Sequence, residues 1–202
     1  MSRAVPKFTE EKRAEIRTAL LDVGAELFTE HGLEETTIAD LTSEAGIAAG
    51  TFYSFFDSKG ELFAAVLRRE AEYVYADLRV ILKEHAEEPA VALRQFIRAS
   101  SESLLTNPLF RRTMDRADRD KLLEELSDTE VLNTQAEKRE LLVPYIERWQ
   151  EGGHMAEGDP ETIASGILFI ASLPLHREAL DEERYSAIMD VLIEWTVQGL
   201  CR

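Results

Sequence analysis

Thr36, Thr37, Thr51, Tyr53, Ser54 and Lys59 place five hydroxyls and one ammonium within a short stretch of chain. All six groups donate hydrogen bonds, and anionic oxygens are their natural acceptors. Ala48, Ala49 and Gly50 lie among them, with Phe55 close behind. Alanine methyls offer only apolar contact, and a glycine lets a second backbone approach closely. This is the chemistry of recognition rather than of bond breaking. No nucleophile–base pair is visible elsewhere, and His154 and His176 are far apart, with no H-x-x-x-H spacing for a metal. The single cysteine, Cys201, excludes an intrachain disulfide and a cysteine-cluster zinc site. Neither catalysis nor a cofactor or metal is expected.

These residues are positioned by two short helices and a tight turn. Thr37 suits the N-cap of the first, with Asp40 three residues on completing a capping box. Ile38, Leu41 and Ala45 then fall on one face. Gly46 supplies the left-handed residue that ends the helix, and a second helix follows over about Ala49 to Phe55. Ser58 and Glu61 read as the capping box of a longer helix. Two helices joined in this way form a helix-turn-helix, whose second member enters the DNA major groove. Thr36, Thr37, Ala48, Ala49, Gly50, Thr51, Tyr53, Ser54, Phe55 and Lys59 are the expected DNA-contacting residues, while Phe52 and Phe56 are assigned to the core. Hydroxyls and the lysine would hold phosphates, and the alanine methyls suit thymine.

At these residues the chain resembles the N-terminal domain of tetracycline-repressor (TetR/AcrR) family transcriptional regulators. The resemblance rests on Thr36-Thr37, Ala45-Gly46, Gly50-Thr51-Phe52-Tyr53, Phe56 and Ser58-Lys59, and upstream on Arg13 to Gly32. It covers roughly Lys12 to Val66. Many family members carry Ser-Lys before the Gly-Thr, where this chain has Ala48-Ala49. The resemblance implies an all-α protein of about nine helices. A three-helix DNA-binding domain with the helix-turn-helix (1–58, with an arm over 1–8) would precede a helical ligand-binding and dimerisation bundle (59–202). It also implies a homodimer formed by the last two helices, a palindromic operator, and an inducer pocket inside the bundle.

Charge sharpens the expectation. The chain carries a formal net charge of −16, and residues 1–62 hold six basic against twelve acidic side chains. General attraction to phosphate therefore cannot supply most of the affinity. Helix N-termini, backbone amides, hydroxyls and a few placed cations must anchor the duplex. Arg3 and Lys7 read as a short basic arm. The opening M-S-R-A-V-P-K has no apolar signal region, and no apolar run approaches a membrane span, so a soluble cytoplasmic protein without membrane contact is expected.

The rest of the chain reads as helix. The first helix covers about Thr9 to Glu30, with Ile16, Leu20, Val23 and Leu27 on one face; the fourth runs from Lys59 to about His85. Pro89 opens a fifth to about Thr106, and a short sixth reaches Met114. Arg111 to Glu125 is mostly charged, and partly irregular structure is expected there. Thr129 to Glu151 contains Pro144, which predicts a kink or a split. Asp159-Pro160 begins a helix to about Leu180, apolar nearly all round, and the last spans about Glu182 to Gly199. Helices so apolar call for burial in a core or an interface, which agrees with the implied dimer.

For the implied pocket, Phe110, Met114, Tyr145, Trp149, Phe169 and His176 are the candidate ligand-binding residues, suited to a small, largely apolar inducer. The leading reading is a ligand-responsive transcriptional regulator, a repressor, binding double-stranded DNA as a homodimer. The alternative is a DNA-binding protein without a small-molecule inducer, controlled by a protein partner or acting architecturally.

Overall fold

The computed structural model describes residues 8–125, 128–175 and 181–202. His176 and the arm residues Arg3 and Lys7 lie outside them. The described residues form ten helices: α1 (Glu10–Glu35), α2 (Ile38–Glu44), α3 (Ala49–Phe52), α4 (Lys59–Glu84), α5 (Pro89–Thr106), α6 (Pro108–Arg112), α7 (Arg116–Glu125), α8 (Asp128–Glu151), α9 (Pro160–Ala171) and α10 (Glu182–Leu200). One isolated antiparallel bridge, Met155 to Cys201, is the non-helical pairing among them. The chain is all-α. No helix among the described residues is long and apolar enough to cross a membrane.

The chain divides into two compact units, residues 1–70 with 108–127 and residues 71–107 with 128–202. In the first, α1 buries Ile16, Leu20, Gly24 and Phe28, a stripe that repeats every four residues. Val23 and Leu27, expected on that face, are half-buried at its margin. Leu41, Phe52, Phe56, Leu62, Phe63, Val66 and Leu109 complete the core. The Phe28 and Phe63 rings meet edge to face at 5.0 Å. Gly24 allows α1 and α4 to close, since a Cβ there would stand 3.2 Å from Val66. A side chain such as Leu41 or Phe52, fully withdrawn from water, contributes about 1.5–3 kcal/mol.

The second unit is built from the remainder of α4 with α5, α8, α9 and α10; α8 packs on α9, and α5 on both α9 and α10. Leu78, Leu82, Leu93, Phe96, Ile97, Leu142, Ile146, Trp149, Ile167 and Ile193 are buried there. The Trp149 indole N–H donates to the Ala86 carbonyl at 2.6 Å. Arg94 grips Glu194 through two bonds of 2.6 and 2.9 Å, joining α5 to α10. That pairing holds the Glu194 carboxyl below its ordinary range.

Five expectations need correction. Residues 116–125 are helical, because Asp115 accepts the N–H groups of Ala117 (2.9 Å) and Asp118 (3.2 Å) and starts α7. The helix α8 passes through Pro144 without a split. Pro144 and Glu140 are both exposed, so the carbonyl that loses its partner lies on the wetted side. Helix α3 stops at Phe52, and α9 at Ala171, where the Ser172 N–H turns back on Leu168 and Phe169. The Ser58 cap forms, accepting the Glu61 N–H at 3.0 Å, but Glu61 reaches the N–H of Asp57 rather than that of Ser58.

Candidate nucleic-acid interface

The first helix of the pair starts as its sequence dictates. The Thr37 hydroxyl oxygen accepts the Asp40 N–H at 3.2 Å, and the Asp40 carboxylate accepts the Thr37 N–H at 3.0 Å. The Thr37 hydroxyl also donates to that carboxylate, and these bonds hold the Asp40 carboxyl below its ordinary range. Gly46, at φ +67°, turns the chain, with its N–H on Ser43 and the Ile47 N–H on Thr42. Ala48 then takes the N-cap position of α3 without any side-chain capping bond.

Only one short face of α3 looks inward. Phe52 is fully buried against Phe56, with ring centroids 6.0 Å apart. The Tyr53 ring stands edge-on to Phe52 at 5.5 Å yet remains 60% exposed. Ala48, Ala49 and Gly50 are exposed, and Thr51 and Ser54 are half-buried. These six form the outward surface of α3 and the turn that follows it.

Four other expected contacts are engaged inside the domain. Thr36 is 2% exposed, and its hydroxyl donates to the Gly32 carbonyl at 2.6 Å, which withdraws it from any phosphate. The Thr37 hydroxyl is committed to the cap. The Lys59 ammonium donates to the carbonyls of Leu33 (2.6 Å), Glu34 (3.0 Å) and Thr36 (2.9 Å). Three donors meet three acceptors, so Lys59 clamps the end of α1 instead of offering itself to DNA. Phe55 is half-buried, 6.3 Å from the Phe8 ring and beneath the Arg13 guanidinium at 5.0 Å.

Sequence reasoning missed the residues that seat this head. Arg13 donates to the Ser54 carbonyl at 3.1 Å and so ties the exit of α3 to α1. Arg112 of α6 donates to the Thr29 carbonyl at 2.9 and 3.1 Å and to that of Glu30 at 2.5 Å. The buried Asp118 of α7 accepts the Glu34 N–H at 3.0 Å. Arg112 and Lys59, with the Asp118 carboxylate, thus satisfy backbone groups at the end of α1 that helix termini leave without partners. Arg112 and Asp118 lie more than eighty positions from the groups they hold, so no local pattern could reveal them.

The candidate ligand residues do not gather in one unit. Phe110 and Met114 are half-buried in the first; Tyr145, Trp149 and Phe169 belong to the second. Tyr145 and Trp149 pack with centroids 5.8 Å apart. Phe169 is 65% exposed, because α9 turns Ala164, Ile167, Leu168 and Ala171 inward and leaves Phe169 on its other side. His176 lies outside the described residues.

Comparison with known proteins points the same way as the geometry. Residues 20–66 match the sequence profile of bacterial regulatory proteins, tetR family. The HTH-type transcriptional repressor KstR2 of Rhodococcus jostii (strain RHA1) is 35% identical over 88 residues, 44% of this chain and 43% of that protein. The HTH-type transcriptional repressor ComR of Escherichia coli (strain K12) is 38% identical over 78 residues, 38% of this chain and 37% of that protein. The matched stretch thus spans less than half the length of these curated relatives. A TetR-family transcriptional regulator from Pectobacterium atrosepticum superposes with a TM-score of 0.69 at 26% identity, covering 95% of this chain and 93% of that one. Over residues 20–66, which hold the capped helix-turn-helix, this chain is similar to the tetR family of bacterial regulatory proteins.

Proposed function

We propose that this chain is a ligand-responsive transcriptional repressor that binds a palindromic operator as a homodimer and leaves it when a small, largely apolar inducer binds. Residues 1–58 would read DNA, and residues 59–202 would bind the inducer and self-associate. One observation carries the reading: Ala48, Ala49, Gly50 and Tyr53 project outward from a helix-turn-helix whose other side chains fasten it to α1. The surface is built to meet something, and in this family that is a duplex. The repressor assignment follows the names of the relatives KstR2 and ComR.

Phe169 of α9 with Val191 and Trp195 of α10 supports self-association, since these large apolar side chains are 65%, 43% and 68% exposed. A second copy would cover them. Two reading heads held in one dimer fit two half-sites about one DNA turn apart, and the second contact gains from the first. An inducer that favours a spacing of the heads poorly matched to the operator releases the DNA.

The test is selection of bound duplexes from a random DNA library by the purified protein. A palindrome should emerge, and Tyr53→Ala should bind it at least tenfold more weakly while remaining dimeric. Failure to enrich any sequence at low salt would sink the proposal.

A further inference from the structure

The ten residues from Ile47 to Phe56 contain no Arg, Lys, Asn, Gln, Asp or Glu. Those are the side chains that read guanine, adenine or cytosine edges in the major groove by hydrogen bonding. The described cations up to residue 62 are also engaged. Lys12 pairs with Glu15 at 2.9 Å, and Arg13 holds the Ser54 carbonyl and the Phe55 ring. Arg17 lies 4.9 Å over the Phe56 ring, and Lys59 holds three carbonyls of the α1 end. A charged or amide code for base edges is therefore missing from the α3 surface, which keeps only the hydroxyls of Thr51, Tyr53 and Ser54.

What α3 does offer is small and apolar. Ala48 and Ala49 are exposed, and a Cβ built on Gly50 would meet nothing within 4 Å. Packing within the domain thus places no limit on side-chain size at Gly50 and does not bury the two alanine methyls. Smallness here serves the approach of another body. Among major-groove edges, only thymine presents an apolar group, its C5 methyl.

Resting on the reading of α3 as the DNA-recognition helix, we propose that Ala48 and Ala49 determine specificity by packing their methyls on thymine C5 methyls. Gly50 lets the backbone close on the groove, and Tyr53, at the rim, holds the adjoining backbone. Half-sites recognised by this chain carry thymine opposite the start of α3, and selectivity comes from methyl burial rather than from a bidentate hydrogen bond.

The duplex recovered from the random library is the probe, compared with the same duplex carrying deoxyuridine at the conserved thymines, which removes only the methyl groups. Burial of one methyl predicts about fourfold weaker binding per half-site, and so about fifteenfold when both half-sites of a dimer are changed. Ala48→Gly, harmless at an N-cap position, and Ala49→Gly should each bind the thymine duplex more weakly. Each should also narrow the difference between the thymine and deoxyuridine duplexes, the coupling that a double-mutant cycle measures. Equal affinity for the two duplexes, with the unmodified one still bound, would overturn the thymine assignment and leave DNA binding intact. Recovery of no duplex would remove both.

Discussion

Replacing Gly32 by Ala tests how the reading head is seated. Gly32 has φ +80° and ψ 174°, a region that is essentially reserved for glycine. Holding another residue there costs about 1–3 kcal/mol. The new methyl carbon would also stand 2.4 and 2.7 Å from the two carboxylate oxygens of Asp118. Asp118 must then retreat, and its hydrogen bond to the Glu34 N–H, worth about 1.5–3 kcal/mol for a charged acceptor, is lost with it. Gly32→Ala should therefore destabilise by about 3–5 kcal/mol, a large part of a typical total of about 5–15. Asp118→Ala should cost only the second of these contributions. In the double variant the hydrogen bond is lost once, so it should be about 2 kcal/mol more stable than the sum of the singles predicts. Urea unfolding at fixed protein concentration, followed by far-ultraviolet circular dichroism, is the assay. Tryptophan fluorescence would miss the event, because Trp149 and Trp195 both belong to the other unit. Hydrogen exchange over Glu10–Glu35 should localise the loss to the end of α1. Strict additivity, or a Gly32→Ala variant within about 0.5 kcal/mol of the parent, would refute the account.

Lys59→Met should lower the melting temperature, because three carbonyls lose their donor, yet leave the salt dependence of DNA affinity unchanged. A phosphate-contacting lysine would instead reduce the slope of log affinity against log salt by about one. Asp40 should titrate below its ordinary value of 3.8, and Thr37→Val should move it back up, as read by NMR. Its folded value is depressed, so the cap contributes fully above the unfolded value and fades as pH falls through the folded one. Trp195→Glu should convert dimer to monomer in sedimentation velocity, since it sets a charge in the exposed apolar face of α10. An unchanged dimer would move the interface elsewhere.

The parts legible in the sequence were those specified by near neighbours. The Thr37–Asp40 box, the Gly46 turn and the Asp159 cap each lie within three residues of their partners, and all three form. The exposure of Ala48, Ala49, Gly50 and Tyr53 follows from an α3 that turns only Phe52 inward. A lysine after a helix-turn-helix suggests phosphate, whereas the carbonyls that Lys59 holds lie 23 to 26 positions upstream, beyond any local pattern. Thr36 and Thr37 are adjacent and chemically identical, but a buried carbonyl takes one hydroxyl and a cap takes the other. Residues 116–125 looked irregular because their apolar face is weak; the helix is held by Asp118, a charge that a hydrophobic pattern scores as solvent.

Those same long-range bonds bear on how an acidic chain would bind an acidic polymer. Arg13, Arg112 and Lys59 all donate to backbone carbonyls within the first unit. Each would be a phosphate contact if judged by charge alone. Used internally, Arg13 ties the exit of α3 to α1 while Arg112 and Lys59 hold the end of α1, and this ordering needs no bound partner. In the proposed dimer, affinity would come from a rigid, closely fitting surface and from the coupling of two heads, not from counterion release. A domain organised in this way gives up non-specific attraction for shape, which is consistent with a formal net charge of −16 on the whole chain.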